Sequence, residues 1–360
     1  MIRVLKFGGT ALKTNDSIKL VTNVITNNLD HKLLVIVSAM GRYPDAYATD
    51  TLNALALNAN YDEHCRLLSC GEIISSIVLS SNLKSQGINA ISLSSMQLNL
   101  KVKHNRLVGL DTKVINKYFE TYDVIIVPGF QGIDKFKNIR ILEKGDSDYT
   151  AVYLARRLNL DEVYIYSDVC GIFTGDPKYI NEARLIKHIG YRQALDLAKH
   201  KARIICYKAL MEGYKKDGFK IKLRSFKDDR IGTLINHDDT NIRTMSINFN
   251  YWLIRFEETI AKSDYSFLHD CFDDDYLIFE EDLAKLETDY TKIDLYTKVH
   301  FVGCGLENDE IYRNFLEKFA IVSKNEHDSY YVKAKNQKQD LNLLHLSLIH
   351  ISEPTRPISI

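Results

Sequence analysis

Lys6-Phe7-Gly8-Gly9-Thr10 follows a short apolar run, and its residue types suit phosphate. Adjacent glycines let backbone N–H groups come close to a polyphosphate. A helix after the turn adds the positive end of its dipole. Lys6 supplies a compact cation for a transferring phosphoryl group. Taken singly, a Gly-Gly turn is more often only a turn. Further strings place polar groups beside glycine: Val37-Ser38-Ala39-Met40-Gly41-Arg42, then Tyr47-Ala48-Thr49-Asp50, then Leu67-Leu68-Ser69-Cys70-Gly71-Glu72. Pro128-Gly129-Phe130-Gln131-Gly132, Ser147-Asp148-Tyr149-Thr150-Ala151 and Ser167-Asp168-Val169-Cys170-Gly171-Ile172-Phe173-Thr174-Gly175-Asp176-Pro177 continue the series. Glu72 could meet an ammonium, or could cap a helix start beside Gly71. Asp168 and Asp176 are ordinary loop acids when read alone, and Ser38 and Thr49 alone carry almost no information. Cys70 reads as a packing residue. His104 and His188 read as surface or hydrogen-bonded histidines. Only the ordered set points to chemistry.

Those strings need elements to position them. Ile2–Phe7, Leu33–Ser38, Ala90–Leu93, Val124–Val127 and Val163–Tyr166 are short, apolar or β-branched and bounded by Gly, Asp or Ser, which predicts buried strands. Amphipathic stretches at Asp16–Asn28, Glu72–Leu83 and Thr150–Leu158 lie between them. Strand–helix alternation predicts a three-layer α/β/α domain on a mostly parallel sheet, with ligands at the C-terminal strand ends. The polar run His237-Asp238-Asp239-Thr240-Asn241 breaks this pattern. Shorter strands follow at Thr244–Phe256, Tyr276–Glu280, Lys298–Val302 and Tyr330–Val332, as in small α+β units.

In 360 residues, 47 basic and 47 acidic side chains balance, so bulk charge gives no footprint for nucleic acid or an anionic membrane. The length fits two or three domains. None of the six cysteines forms a C-x-x-C pair, which fits a reducing cytoplasm without a zinc ribbon or redox motif. No apolar run approaches a membrane span, and no signal-peptide stretch precedes the first strand.

In this order, the strings resemble the signatures of monofunctional aspartate kinases over residues 2 to about 235. The string ending at Pro177 also resembles uridylate and glutamate kinases and marks the wider amino-acid kinase family. The Lys6–Thr10 and Ser69–Glu72 strings select aspartate kinase within it. The resemblance implies ATP-dependent phosphorylation of L-aspartate to 4-phospho-L-aspartate, the first step toward diaminopimelate and lysine, threonine and methionine. It makes Lys6, Gly9 and Asp148 the catalytic set. It puts Thr10, Ser38, Thr49, Glu72, Phe130, Lys144 and Ser147 around aspartate, with Glu72 on its ammonium. Gly8, Gly9, Ser167, Asp168, Phe173, Asp176, Lys178 and Arg203 fall to the nucleotide. Mg²⁺ is expected through ATP oxygens, with no metal held by the protein itself. The substrate carboxylate is already a nucleophile, so no general base is needed.

Several positions depart from that pattern. Glu143-Lys144-Gly145-Asp146-Ser147-Asp148 stands where the family typically reads Gly-Arg-Gly-Gly-Ser-Asp. Lys144 keeps the charge but not the planar fork of arginine, and Asp146 adds an acid where an anion is to bind. Lys178 stands for an arginine. Lys201-Ala202-Arg203-Ile204-Ile205-Cys206-Tyr207-Lys208 replaces a string resembling Gly-Ala-Lys-Val-Leu-His-Pro-Arg. The alternative function is therefore a degenerate, non-catalytic homologue that binds ligand or regulates a partner.

The kinase domain is expected over 1–236, a first ferredoxin-like ACT module over 242–296 and a second over 297–345. Lys298-Val299-His300-Phe301-Val302-Gly303-Cys304-Gly305 resembles the start of the second. Its effector loop, usually glycine-rich, here reads Leu306-Glu307-Asn308-Asp309-Glu310. A homodimer through these modules is expected. Leu346 to Arg356 resembles the translation of a sequencing-library adapter, so 346–360 is expected to be foreign to the native chain, and truncation there is expected to expose Leu343 and Leu344.

Overall fold

Alternating apolar residues start the first strand, β1 (Ile2–Phe7), which leads through a 3-10 turn at Gly9–Leu12 into helix α1 (Asn15–Thr26). A capping box opens α1: the Thr14 hydroxyl accepts the Ser17 N–H while the Ser17 hydroxyl accepts the Thr14 N–H. β2 (Lys32–Val37), α2 (Thr49–Leu55) and the 25-residue α3 (Tyr61–Ser85) follow, then β3 (Ala90–Ser92), β4 (Lys101–Lys103), β5 (Arg106–Gly109), α4 (Thr112–Thr121), β6 (Val124–Pro128), β7 (Gln131–Ile133) and β8 (Ile139–Ile141). Next come α5 (Ser147–Arg157), β9 (Glu162–Ser167), β10 (His188–Gly190), α6 (Tyr191–Lys199), α7 (Tyr207–Tyr214), β11 (Lys220–Ser225) and β12 (Ile231–Asn236). This computed structural model describes residues 1–200, 202, 205–228, 231–238, 240, 242–257, 265, 268–270, 275–303, 320–322, 329–333 and 337–350.

The chain divides into two units. The first comprises Met1–Ile172, Lys187–Leu195 and Ile204–Asp239, the second Phe173–Ile186, Asp196–Arg203 and Thr240–Ile360.

An eight-stranded sheet, ordered β10-β12-β11-β9-β1-β2-β6-β3, runs through the first unit and is parallel except between β11 and β12. The two-residue period of a strand sends Leu5 and Phe7 to one face and Val4 and Lys6 to the other. On the first face, Leu5, Phe7, Leu33, Val35 and Ile126 pack with Ile18, Val21, Val24 and Ile25 of α1 and with Leu79 and Leu83 of α3. On the other, α5 lies against β1, β2 and β9, and α7 packs on α5. The expected three-layer α/β/α arrangement is therefore present. A small second sheet, β5-β4-β7-β8, built of strands of three or four residues, precedes α5.

The second unit carries β13 (Thr244–Phe256), β14 (His269–Asp270), β15 (Asp275–Phe279), β16 (Tyr290–Val302), β17 (Ala320–Val322), β18 (Ser329–Lys333) and helix α8 (Gln337–His350). Its sheet is antiparallel throughout, in the order β14-β15-β13-β16-β18-β17. The expected division at 296/297 falls inside β16, so strands on both sides of it share one sheet. Leu344 of α8 is buried with Leu341, Val299, Phe301 and Val332, and only Leu343 of the expected exposed pair faces solvent. Helical spacing explains the correction: Leu341 and Leu344 lie three residues apart on the face that meets the sheet. Residues 346–350 belong to α8, while 351–360 and the acidic run with Glu307, Asp309 and Glu310 lie outside the described residues. No described helix is long and apolar enough to cross a membrane.

Candidate active site

The loops after β1, β2 and β6 converge because those strands are parallel neighbours. Ser38 N–H donates to the Phe7 carbonyl and Gly41 N–H to the Gly9 carbonyl, which ties the first loop to the second. Gly129 N–H donates to the Val37 carbonyl and brings in the third. A Cβ on Gly9 would stand 2.4 Å from the Ala39 carbonyl oxygen and 2.7 Å from that of Gly41. Both obstacles are backbone atoms, so no side chain larger than hydrogen fits. At Gly129 a Cβ would meet the Cα and Cβ of Ser147, so the first turn of α5 sits directly on the third loop.

Lys6 and Asp148 meet on the α5 face of the sheet. Lys6 Nζ lies 2.6 Å from Asp148 Oδ1, both side chains being largely buried. Asp148 occupies the first turn of α5, where the helix dipole favours a carboxylate. This pair joins the first motif to one 142 residues later.

Glu72 is almost fully buried, and its position corrects an expectation. It is no helix-start residue: α3 begins at Tyr61, capped by Asn60, whose side chain accepts the Glu63 N–H while Glu63 accepts the Asn60 N–H. Gly71 permits contact rather than ending a helix, since a Cβ there would lie 2.7 Å from Ala39 Cβ and 2.9 Å from the Tyr47 carbonyl oxygen. That contact sets Glu72 against the β2 loop, where Oε1 accepts the Ala39 N–H at 3.1 Å. Oε2 is buried without a hydrogen-bond partner. Burial pushes the carboxyl up to about 8, against the Ala39 hydrogen bond and the Lys6 charge, which act downward. An orphaned acceptor beside a cation-bearing loop suits a ligand that brings its own N–H donors.

The loop 143–148 differs from its expected electrostatics. Asp146 is buried, accepts the Glu143 N–H at 3.0 Å, and lies 2.9 Å from Lys208 Nζ, which also holds the Glu143 carboxylate at 2.9 Å. Burial raises the Asp146 carboxyl above its usual range, and the Lys208 hydrogen bond and charge oppose that rise. Lys144, on the exposed side of the loop, pairs with Asp50 in the first turn of α2 at 2.7 Å. Neither Asp50 nor Lys208 stood among the expected site residues. Lys208 was visible only as the last residue of a divergent string, and its partner is 62 positions away.

The other expected residues distribute as follows. Thr10 lies in the 3-10 turn after Gly8, Ser38 directly after β2, and Thr49 at the start of α2, all partly buried. Phe130 is buried with φ +66°, its N–H donating to Thr150 Oγ1 and its carbonyl accepting the Leu142 N–H. A left-handed phenylalanine is strained, and these two hydrogen bonds hold it. The Ser167 hydroxyl folds back on Val169, and Asp168 faces Arg42 at 3.9 Å. Phe173, Asp176 and Lys178 belong to the second unit. There the Asp176 carboxylate accepts the Lys178 N–H, a local turn. Arg203 lies outside the described residues.

The sequence model of the amino acid kinase family matches residues 1–218. Among curated proteins, the chain is 33% identical over 258 residues to the aspartokinase of Rickettsia conorii, covering 68% of this chain and 63% of that one. It is 32% identical over 265 residues to aspartokinase 2 of Bacillus subtilis, covering 72% and 64%. These alignments thus span under two thirds of either relative. Among solved structures, aspartokinase III of E. coli, crystallised with aspartate and ADP, matches with a TM-score of 0.72 over 97% of this chain and 100% of that one. At 19% identity this likeness shows a shared fold.

Proposed function

Because the chain belongs to the amino acid kinase family, we propose that it transfers the γ-phosphoryl group of ATP to the β-carboxylate of L-aspartate, giving ADP and 4-phospho-L-aspartate. The observation that carries this reading is Glu72: a buried carboxyl with one oxygen on Ala39 N–H and the other unpartnered, at the strand ends that also hold Lys6, Asp148 and Gly9.

In this reading Glu72 Oε2 accepts the ammonium of aspartate, which supplies the missing donor and neutralises the carboxylate. Lys144 turns from Asp50 to the α-carboxylate as a point charge. Thr10, Ser38, Thr49 and Ser147 offer hydroxyls at loop ends, and Phe130 shapes the wall. A β-carboxylate oxygen then forms its bond to the γ-phosphorus while the bond to the β,γ-bridging oxygen breaks, and ADP leaves with that electron pair. Lys6, aimed by Asp148, stabilises the charge on the transferring group. The turn at Gly8 and Gly9 admits the phosphates closely, with Ser167 and Asp168 on the nucleotide side. Mg²⁺ brought with ATP would supply further charge neutralisation. Catalysis is positioning plus electrostatics.

Such a reaction would open the route to diaminopimelate and lysine, threonine and methionine in the cytoplasm. The enzyme would act as a homodimer through its second unit, with 242–296 and 297–345 as effector-sensing modules. The test is aspartate-dependent ADP release by the purified protein, with hydroxylamine trapping the acyl phosphate as a hydroxamate. ADP and hydroxamate forming together support the reading. Saturable aspartate binding without turnover would instead establish the non-catalytic, ligand-binding alternative.

A further inference from the structure

The second unit brings together three side chains that the proposed reaction does not use. Asp196 and His200 stand four residues apart at the end of α6, and His300 projects from β16. His300 Nε2 lies 3.3 Å from Asp196 Oδ2, and His200 Nε2 lies 3.5 Å from Asp196 Oδ1. The imidazole rings stack with centroids 3.4 Å apart and planes 16° apart. Both Nε2 edges therefore face one carboxylate, and the ligand atoms of all three residues lie within 4.8 Å of one another. We propose that Asp196, His200 and His300 form a binding site for a divalent transition-metal ion of the zinc, cobalt and nickel class.

Distance is the first argument. Zinc binds imidazole nitrogen and carboxylate oxygen at about 2.0–2.2 Å, so neighbouring corners of its tetrahedron lie roughly 3.3–3.5 Å apart. The two nitrogen–oxygen separations already match that edge. Because the stacked rings hold their in-plane lone pairs nearly parallel, binding requires the His200 ring, on the partly exposed side, to rotate out of the stack until its Nε2 meets the ion held by His300 and Asp196. Donor type is the second. Two imidazoles and one carboxylate favour borderline ions over magnesium or calcium, which take oxygen ligands.

Support behind the ligands is the third. Ser329 Oγ lies 2.9 Å from His300 Nδ1, and in the tautomer where Nδ1–H donates to that hydroxyl, Nε2 keeps its lone pair for a metal. Ser246 Oγ and Asn248 Nδ2 both donate to the His200 carbonyl, fixing the backbone from which that ligand projects. His300 is buried, whereas Asp196 is 43% exposed at its side chain, so an ion can enter beside the carboxylate and keep water as its fourth ligand. A bound ion would bridge the end of α6 to β16.

The experiment uses the full chain, stripped with a chelator and titrated with Zn²⁺ alone by calorimetry, then with Co²⁺ alone by visible absorption. The expected result is one ion per chain, intense bands of four-coordinate Co²⁺, and a Tm that rises with metal concentration. His200→Ala and Asp196→Asn are the variants of choice because both positions are partly exposed, and each should weaken binding at least about tenfold. Far-ultraviolet circular dichroism checks that both variants fold. Absence of stoichiometric binding overturns the proposal. So does binding that persists unchanged in both variants, which would place the metal on other residues.

Discussion

Replacing Glu72 by Gln keeps the side chain's shape and leaves one oxygen to accept the Ala39 N–H, but it removes the group that titrates. The folded-state carboxyl sits at about 8, against 4.5 without burial. Between those values the folded chain holds a proton that the unfolded chain has released. The linkage slope is then negative: wild-type stability falls as pH rises through this window and levels off above about 8. At about 1.36 kcal/mol per pKa unit, the loss between about pH 5 and pH 8 has an upper bound of ~3–4 kcal/mol. Glu72→Gln lacks this dependence, so its stability should pull ahead of wild type with rising pH. Urea unfolding of both proteins at several pH values measures it. Activity should move in the opposite sense. Only the carboxylate binds an ammonium well, so wild-type kcat/KM for aspartate should climb toward about pH 8. The variant should stay flat, with KM raised on the order of 10–100-fold from loss of one charged hydrogen bond. Parallel stability curves for the two proteins, or an unchanged KM, would refute both the buried acid and its role.

Lys6→Ala should lower kcat by about 10²–10³ while the fold persists, as read by steady-state assay and circular dichroism. Gly9→Ala should cost on the order of 1–3 kcal/mol in unfolding free energy and abolish turnover, because its Cβ meets two backbone carbonyls. Lys208→Met should leave Asp146 buried without its cation, costing roughly 2–3 kcal/mol in thermal or denaturant unfolding and raising KM for aspartate through the loosened loop. Feedback inhibition by lysine, threonine or diaminopimelate at millimolar concentration should be weak or absent, since Glu307, Asp309 and Glu310 would put three acids where the resemblance expects the effector loop. Strong inhibition relieved by changing Glu307 would show that the acidic run admits the effector.

What the sequence made legible was local. β1 and β13 begin and end where their apolar spacing says, because strand period and flanking polar residues act within a few positions. Ordered glycine strings likewise identified the loops that meet at the strand ends. Of the two alternatives for Glu72, the helix-start one fails because Gly71 lies inside α3, whose start is marked by the Asn60 and Glu63 capping pair. Gly71 serves close packing on Ala39, a contact between segments that no local pattern encodes. Strands β4, β5, β7 and β8 are too short for any period to stand out. Pairs such as Lys144 with Asp50 are invisible until the chain folds, because their separation follows from topology alone.

The same distinction bears on whether the altered loop 143–148 still serves an anionic substrate. Read residue by residue, Asp146 is an obstacle, since a carboxylate in place of glycine repels the substrate's own carboxylates. Folded, it is one half of a pair. A buried carboxylate without a partner would carry a penalty of several kcal/mol, yet Asp146 has Lys208 Nζ at 2.9 Å and the Glu143 N–H at 3.0 Å. Its charge is spent inside the protein, and the hydrogen bond to Glu143 closes the turn that carries Lys144. Gly145, at φ +94°, supplies the left-handed step that lets this turn close. The acid therefore shapes the loop, and in the proposed reading its pairing with Lys208 would offset its charge toward an anionic substrate. Lys144 is left as the one cation of this loop, held in reserve by an exposed pair with Asp50. An exposed pair of that kind is worth at most about 1 kcal/mol, so a substrate carboxylate can displace it at little cost.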